Sequence, residues 1–80
     1  MIKIVNKQLE AAKELRKKLL NNYWLGEGGQ SVIIPTFSHD QNIFNDMVLP
    51  EGAKMVHRYN FIVIEFDHQI SQQDLAVLGI

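Results

Sequence analysis

Three histidines, His39, His57 and His68, stand close in sequence to Asp40, Glu65 and Asp67. Imidazole with carboxylate is a ligand set that suits zinc or iron, and a histidine beside a carboxylate can work as an acid-base pair. The spacing supports neither. The chain contains no HxH, HxxxH or HExxH pattern, so local geometry does not bring two histidines to one face of a helix or strand. Asp67 and His68 are adjacent, yet neighbours on a strand point to opposite sides. The histidines are therefore expected to be structural or surface residues, and neither a metal nor a cofactor is expected.

A nucleophile is equally hard to place. The absence of cysteine removes thiolate attack, thiolate zinc sites and disulfide staples. GxSxG is absent, and Ser31, Ser38 and Ser71 read as a strand start and two helix caps. The acids are spread over helix faces and turns. The run Gly26-Glu27-Gly28-Gly29 invites a phosphate cradle, but it lacks the lysine followed by serine or threonine. It also follows a helix and precedes a strand, the reverse of the order a phosphate loop needs. It reads as a connector.

The side chains suited to binding are Arg16, Tyr23, Trp24, Arg58 and Tyr59. Arg16 projects from within the apolar arc of the first helix. Either its stem packs and its head reaches the edge, or it pairs with a carboxylate or holds an anion. Trp24 adjoins the glycine loop and is either a lid on the core or a contact anchor. Arg58 and Tyr59 fall at the expected tip of a hairpin, and both types are favoured at contact hot spots. Tyr59 also has a core-packing reading.

These residues must be positioned by few elements, because 80 residues make one domain and bury only about 60% of their unfolded surface. The sequence leaves open whether it is a fragment of something longer. A hydrophobic content of 46% and a mean hydropathy of −0.09 are globular values. A net charge of −1 offers no basic stripe for nucleic acid. No run approaches the ~20 apolar residues of a membrane span, and a secreted domain of this size would often need disulfides. A cytoplasmic location is expected, with neither nucleic acid nor membrane as partner.

The run Phe61-Ile62-Val63-Ile64-Glu65-Phe66 organises the rest. Its length and β-branched content make it a strand. Its near-continuous apolar character predicts a central strand covered on both faces, with Ile33, Ile34, Ile62, Val63, Ile64 and Phe66 as the sheet core. Ala53 to Asp67 is expected to be two strands turning near Asn60, or one long strand with a bulge. Ser31 to Pro35 is a second strand, ended by a proline that cannot donate. Ile2, Ile4 and Val5 could form a short first strand, with Asn6 capping the helix that follows.

Lys7 to Asn22 is a firm amphipathic helix. At helical spacing Leu9, Ala12, Leu15, Leu19, Leu20 and Tyr23 fall within an arc of about 140°. Ser38 and Gln41 suggest a capping box opening a second helix, with Ile43, Phe44, Met47 and Val48 inward and Pro50 beyond its end. Ser71 and Asp74 form another box, with Ile70 and Leu75 as a staple and Gly79 past the last turn, so Gln72 to Leu78 is a short third helix.

The expected fold class is α+β: a small mixed or antiparallel sheet with one long amphipathic helix and two short ones. No motif is specific enough to name a family. By exclusion, the expected function is a non-catalytic binding module acting through protein contacts. More apolar residues than so small a core can bury point to self-association as a homo-oligomer. A small-ligand protein, holding a nucleotide or other anion through Arg16, Trp24 and Gly26–Gly29, is the second class. A small histidine-dependent enzyme domain is the third.

Overall fold

In the computed structural model, residues 2–80 have a described backbone and residues 10–80 described side chains. The long helix α1 spans Ile2–Leu20. It therefore takes in Ile2, Ile4 and Val5, which the sequence reading gave to a strand, and Asn6, which was to cap it. A strand there would have no ladder partner, whereas lengthening an existing helix adds one hydrogen bond per residue fixed. The side chains of Lys7 and Leu9 lie outside the described ones. From Glu10 onward the helix behaves as its pattern requires: Leu19 and Leu20 are buried, Leu15 packs beside them, and Lys13, Glu14, Lys17 and Lys18 face solvent.

Four strands follow: β1 (Trp24–Leu25), β2 (Ser31–Pro35), β3 (Ala53–Arg58) and β4 (Phe61–Phe66). They form one sheet in the order β1-β2-β4-β3, and every pairing is antiparallel. The Phe61–Phe66 run is thus central, flanked by β2 and β3. The segment from Ala53 resolves into two strands, with Arg58 opposite Phe61 and only Tyr59 and Asn60 between them. Asn60 supplies the left-handed residue that so short a connection needs, at φ 68°.

The central strand is not covered on both faces. Along β4 burial alternates: Ile62, Ile64 and Phe66 are buried, Phe61 and Val63 half-buried, and Glu65 exposed. The core joins the first set to Val32 and Ile34 of β2, Leu19 and Leu20 of α1, Phe44, and Leu78. All helical elements therefore lie on one face. Ile33 and Val63, expected in the core, point to the other. β-branched and aromatic content raised strand propensity on both faces alike, and it does not report what covers them.

The fold has two α-helices, and the expected middle one is a single 3-10 turn over Gln41–Phe44. Its cap is Asp40 and not Ser38: the Asp40 carboxylate accepts the Asn42 N–H at 2.9 Å. Beyond Phe44 come Asn45 and Asp46, weak helix formers whose polar groups compete with the backbone. The Asn45 amide bonds the Asn42 side chain at 3.1 Å, and Val48 is exposed. Gln41 turns inward and ties this turn to the sheet. Its Nε2 donates to Thr36 Oγ1 at 2.9 Å and to the carbonyls of Arg58 and Phe61 at 2.7 and 3.2 Å.

The final helix α2 spans Gln72–Leu78 with the expected devices. Ser71 Oγ accepts the Asp74 N–H at 3.2 Å, and Asp74 Oδ2 accepts the Ser71 N–H at 3.0 Å. Gly79, at φ 89°, closes the helix in the left-handed region, where a β-carbon would be strained. Ile70 and Leu75 pack against the core that Leu78 enters. Ser71→Ala is expected to lower the unfolding free energy by about 1 kcal/mol through the lost cap. Urea denaturation measures this, and an unchanged midpoint would mean that α2 does not contribute to the cooperative fold.

Candidate functional site

Strand register places three rows of side chains on the face away from the helices. Trp24, Ile33, Val63 and Val56 form the middle row. Pro35, Phe61 and Arg58 lie toward the hairpin tip, and Ser31, Glu65 and Lys54 toward the opposite end. Ile33, Val56, Phe61 and Val63 are half-buried by one another, and Trp24 remains 45% exposed. None of the five belongs to the core or packs against it.

Aromatic contacts order this surface. The Trp24 ring meets Phe61 edge-on, with centroids 5.7 Å apart. Phe37 tilts over Phe61 at 6.4 Å, although 62% of Phe37 is exposed. Its backbone sits at φ 48°, a conformation that costs a bulky residue on the order of 1–3 kcal/mol. The Thr36 and Phe37 N–H groups both donate to the Asn60 carbonyl, at 2.8 and 3.1 Å, which holds the strained corner against the hairpin. A strained backbone thus carries a large apolar ring that remains mostly in water. Among the described residues, charge on this face lies at its two ends: Arg58 beside Phe61, and Glu65 with Lys54 at 3.9 Å across the strands.

The predicted binding residues divide. Trp24 and Arg58 lie on this face. Tyr59 stands at the hairpin tip and is 90% exposed, so its core-packing reading fails. With only Tyr59 and Asn60 in the turn, no neighbouring element covers the ring. Trp24 is not a lid on the core either, because it begins an edge strand and shares the outer face with Ile33. Tyr23, one residue earlier, does pack against the core. Arg16 pairs with Asp46 and donates to the Ile43 carbonyl at 3.1 Å, which fastens α1 to the 3-10 turn.

The anion-binding residues are not assembled. The cavity that Arg16 lines also includes Lys13, Asp40, Asn42, Asn45 and Asp46, with neither Trp24 nor the glycine loop. Two of the loop's donors are engaged within it, the Gly26 N–H with the Ser31 carbonyl and the Gly29 N–H with the Gly26 carbonyl, and the Gly28 and Gly29 carbonyls accept from Gln69 and Ile70.

Among the histidines, His57 Nδ1 bonds Gln41 Oε1 at 2.9 Å and extends the Gln41 network. With the hairpin formed, it sits opposite Ile62 and not on the face of Phe61. His68 holds a cluster that spacing did not reveal. Its Nδ1 lies 2.7 Å from Asp67 Oδ1 and its Nε2 2.9 Å from Asp74 Oδ2. The strand-alternation argument against Asp67 and His68 fails because β4 ends at Phe66. Hydrogen bonds to Asp67, then to Asp74, raise the His68 pKa from its ordinary 6.5. Bonds from the Ser71 backbone, then from His68, lower that of Asp74 from 3.8. The two carboxylates bracket the ring on opposite nitrogens and do not converge. Among the described residues no group of histidine and acidic side chains is placed to hold a metal ion.

Sequence patterning could have revealed the outer face only through the hairpin register, which assigns alternate residues of β3 and β4 to opposite sides. No helix of the described residues is long and apolar enough to cross a membrane. No protein-family model matches the chain, and no match is found among curated proteins or solved structures.

Proposed function

We propose that this protein is a small non-catalytic interaction module, and that the helix-free sheet face is its contact surface, pairing with the same face of a second copy. The carrying observation is the Trp24, Phe37 and Phe61 cluster, set on the sheet face opposite the one on which the described side chains of the helices pack. Two such faces stacked about a two-fold axis near Val63 make a β-sandwich with the helices outside. Such packing is a standard way to bury an apolar sheet face. An axis running across the strands exchanges the two ends of β4, so Phe61 of one copy lies over Glu65 of the other.

The size of the face sets the strength. Four strands at ~4.8 Å spacing and five residues at ~3.4 Å rise give a footprint of about 300 Å² per copy. Two such faces fall short of the roughly 1,200 Å² of a standard stable interface, so association in the micromolar range is expected. Sedimentation velocity over a concentration series tests this. A monomer–dimer equilibrium is the expected result, with Trp24→Ala and Phe37→Gly each weakening it about tenfold, or 1.4 kcal/mol. Phe37→Gly removes the ring and relieves the positive φ, so the monomer should melt no lower than the parent. A single species at the monomer mass up to hundreds of micromolar would overturn the proposal, as would a dimer indifferent to both substitutions.

A further inference from the structure

We infer that α2 is held on the sheet by a proton-dependent latch, in which the His68 ring bridges the end of β4 to the capping carboxylate of the helix only while both its nitrogens carry hydrogen. The geometry requires the doubly protonated ring. Each nitrogen faces a carboxylate oxygen, Nδ1 that of Asp67 and Nε2 that of Asp74. A carboxylate at neutral pH only accepts, and a neutral imidazole donates from one nitrogen alone. Loss of the proton therefore turns one of the two bonds into a contact between a lone pair and an anion.

The Asp74 carboxylate and the Asp67 backbone are each held independently of the histidine. Asp74 Oδ2 also accepts the Ser71 N–H of the capping box. Asp67 lies against Gly52, where a β-carbon would collide with its carboxylate. The Asp67 N–H donates to the Gly52 carbonyl at 3.1 Å. The ring itself stands edge-on to Phe66 at 5.5 Å. The charged groups around it are Asp67 beyond β4, Asp74 of α2, and Glu51 of the turn before β3, which lines the same cavity. Asp67 and Asp74, the two that bond the ring, favour the imidazolium.

The direction with pH follows. Because the folded pKa of His68 is raised, its stabilisation is fully present below the unfolded value of 6.5 and is lost as pH rises through the folded value. Asp74, with its pKa lowered, contributes above 3.8 and is lost as pH falls through its folded value. The latch is closed between these limits and opens toward alkaline pH, loosening the segment that carries Leu75, Leu78 and Ile80.

The test pairs the imidazole NMR titration of His68 with amide shifts of Leu75 and Gly79 and with melting temperature from pH 5 to 9. The parent should show one midpoint above 6.5 in all three, with a lower melting temperature on its alkaline side. His68→Gln should abolish the step in the amide shifts and melting temperature. Asp67→Asn, which leaves the capping box intact, should move the His68 midpoint down. Titration of His68 at or below 6.5 would overturn the inference. So would an alkaline step of the α2 amides and melting temperature that survives in His68→Gln.

Discussion

Ile64→Asp is expected to leave a chain without a cooperative melting transition. Ile64 is fully buried at the middle of the central strand, between Val32 of β2 and Met55 of β3. A carboxylate there would lose its hydration with no cation in the apolar cluster to pair it, a cost of several kcal/mol. A domain of this length holds only ~4–12 kcal/mol of net stability. Ile62→Asp, two residues earlier on the same face, should behave alike. Val63→Asp provides the contrast, because Val63 lies half-buried on the outer face. Its carboxylate reaches water, so that variant should fold with a reduced melting temperature. Circular dichroism melts of the three proteins decide the point. A cooperative transition in Ile64→Asp, or indistinguishable melts for Ile64→Asp and Val63→Asp, would mean that burial along β4 does not alternate.

That alternation marks where sequence reading succeeded and where it stopped. The α2 segment was legible to the residue, because Ser71, Asp74, Ile70 and Gly79 act through bonds and contacts within a single turn. The β4 strand was legible as a strand, since its length and side-chain types are local properties. Its one-sidedness was not. Phe61 and Val63 are as apolar as Ile62 and Ile64, and only the placement of the helices decides which set is covered. The start of α1 failed for a related reason: Ile2, Ile4 and Val5 favour strands, but the helix beyond them extends over all three.

The candidate site was legible in its residue types and not in its assembly. Trp24, Arg58 and Tyr59 are of types favoured at contacts, but the clustering of Trp24 with Phe61 depends on β1 and β4 flanking β2, a relation across tens of residues. Phe37 gave no local signal, since a left-handed phenylalanine breaks the rule that such positions take glycine or asparagine. His68 and Asp74 were each visible, yet the bend after Phe66 that brings them together follows no side-chain periodicity.

Phe44→Ala should cost about 3–5 kcal/mol, the range for truncating a fully buried phenylalanine, a large share of the stability of so small a domain. The expectation rests on a segment with little regular structure. Phe44 ends the 3-10 turn, yet it has no exposed surface. It shares the core with Leu19 and Leu20 of α1, Ile34 of β2 and Ile62 of β4, and Ile43 and Met47 pack against that core. The turn is also fastened around it. Gln41 ties it to Thr36 and the hairpin backbone, and Arg16 ties it to α1 through Asp46 and the Ile43 carbonyl. A segment pinned at several points cannot collapse into the space left by the ring, so the cavity persists and its cost adds to the lost transfer energy. Phe44→Leu keeps most of the apolar volume and should cost less than half as much. Urea denaturation with an unchanged m-value measures both. A loss under about 1 kcal/mol for Phe44→Ala would show that the turn relaxes freely into the cavity, in which case the Gln41 and Arg16 bonds would not anchor it.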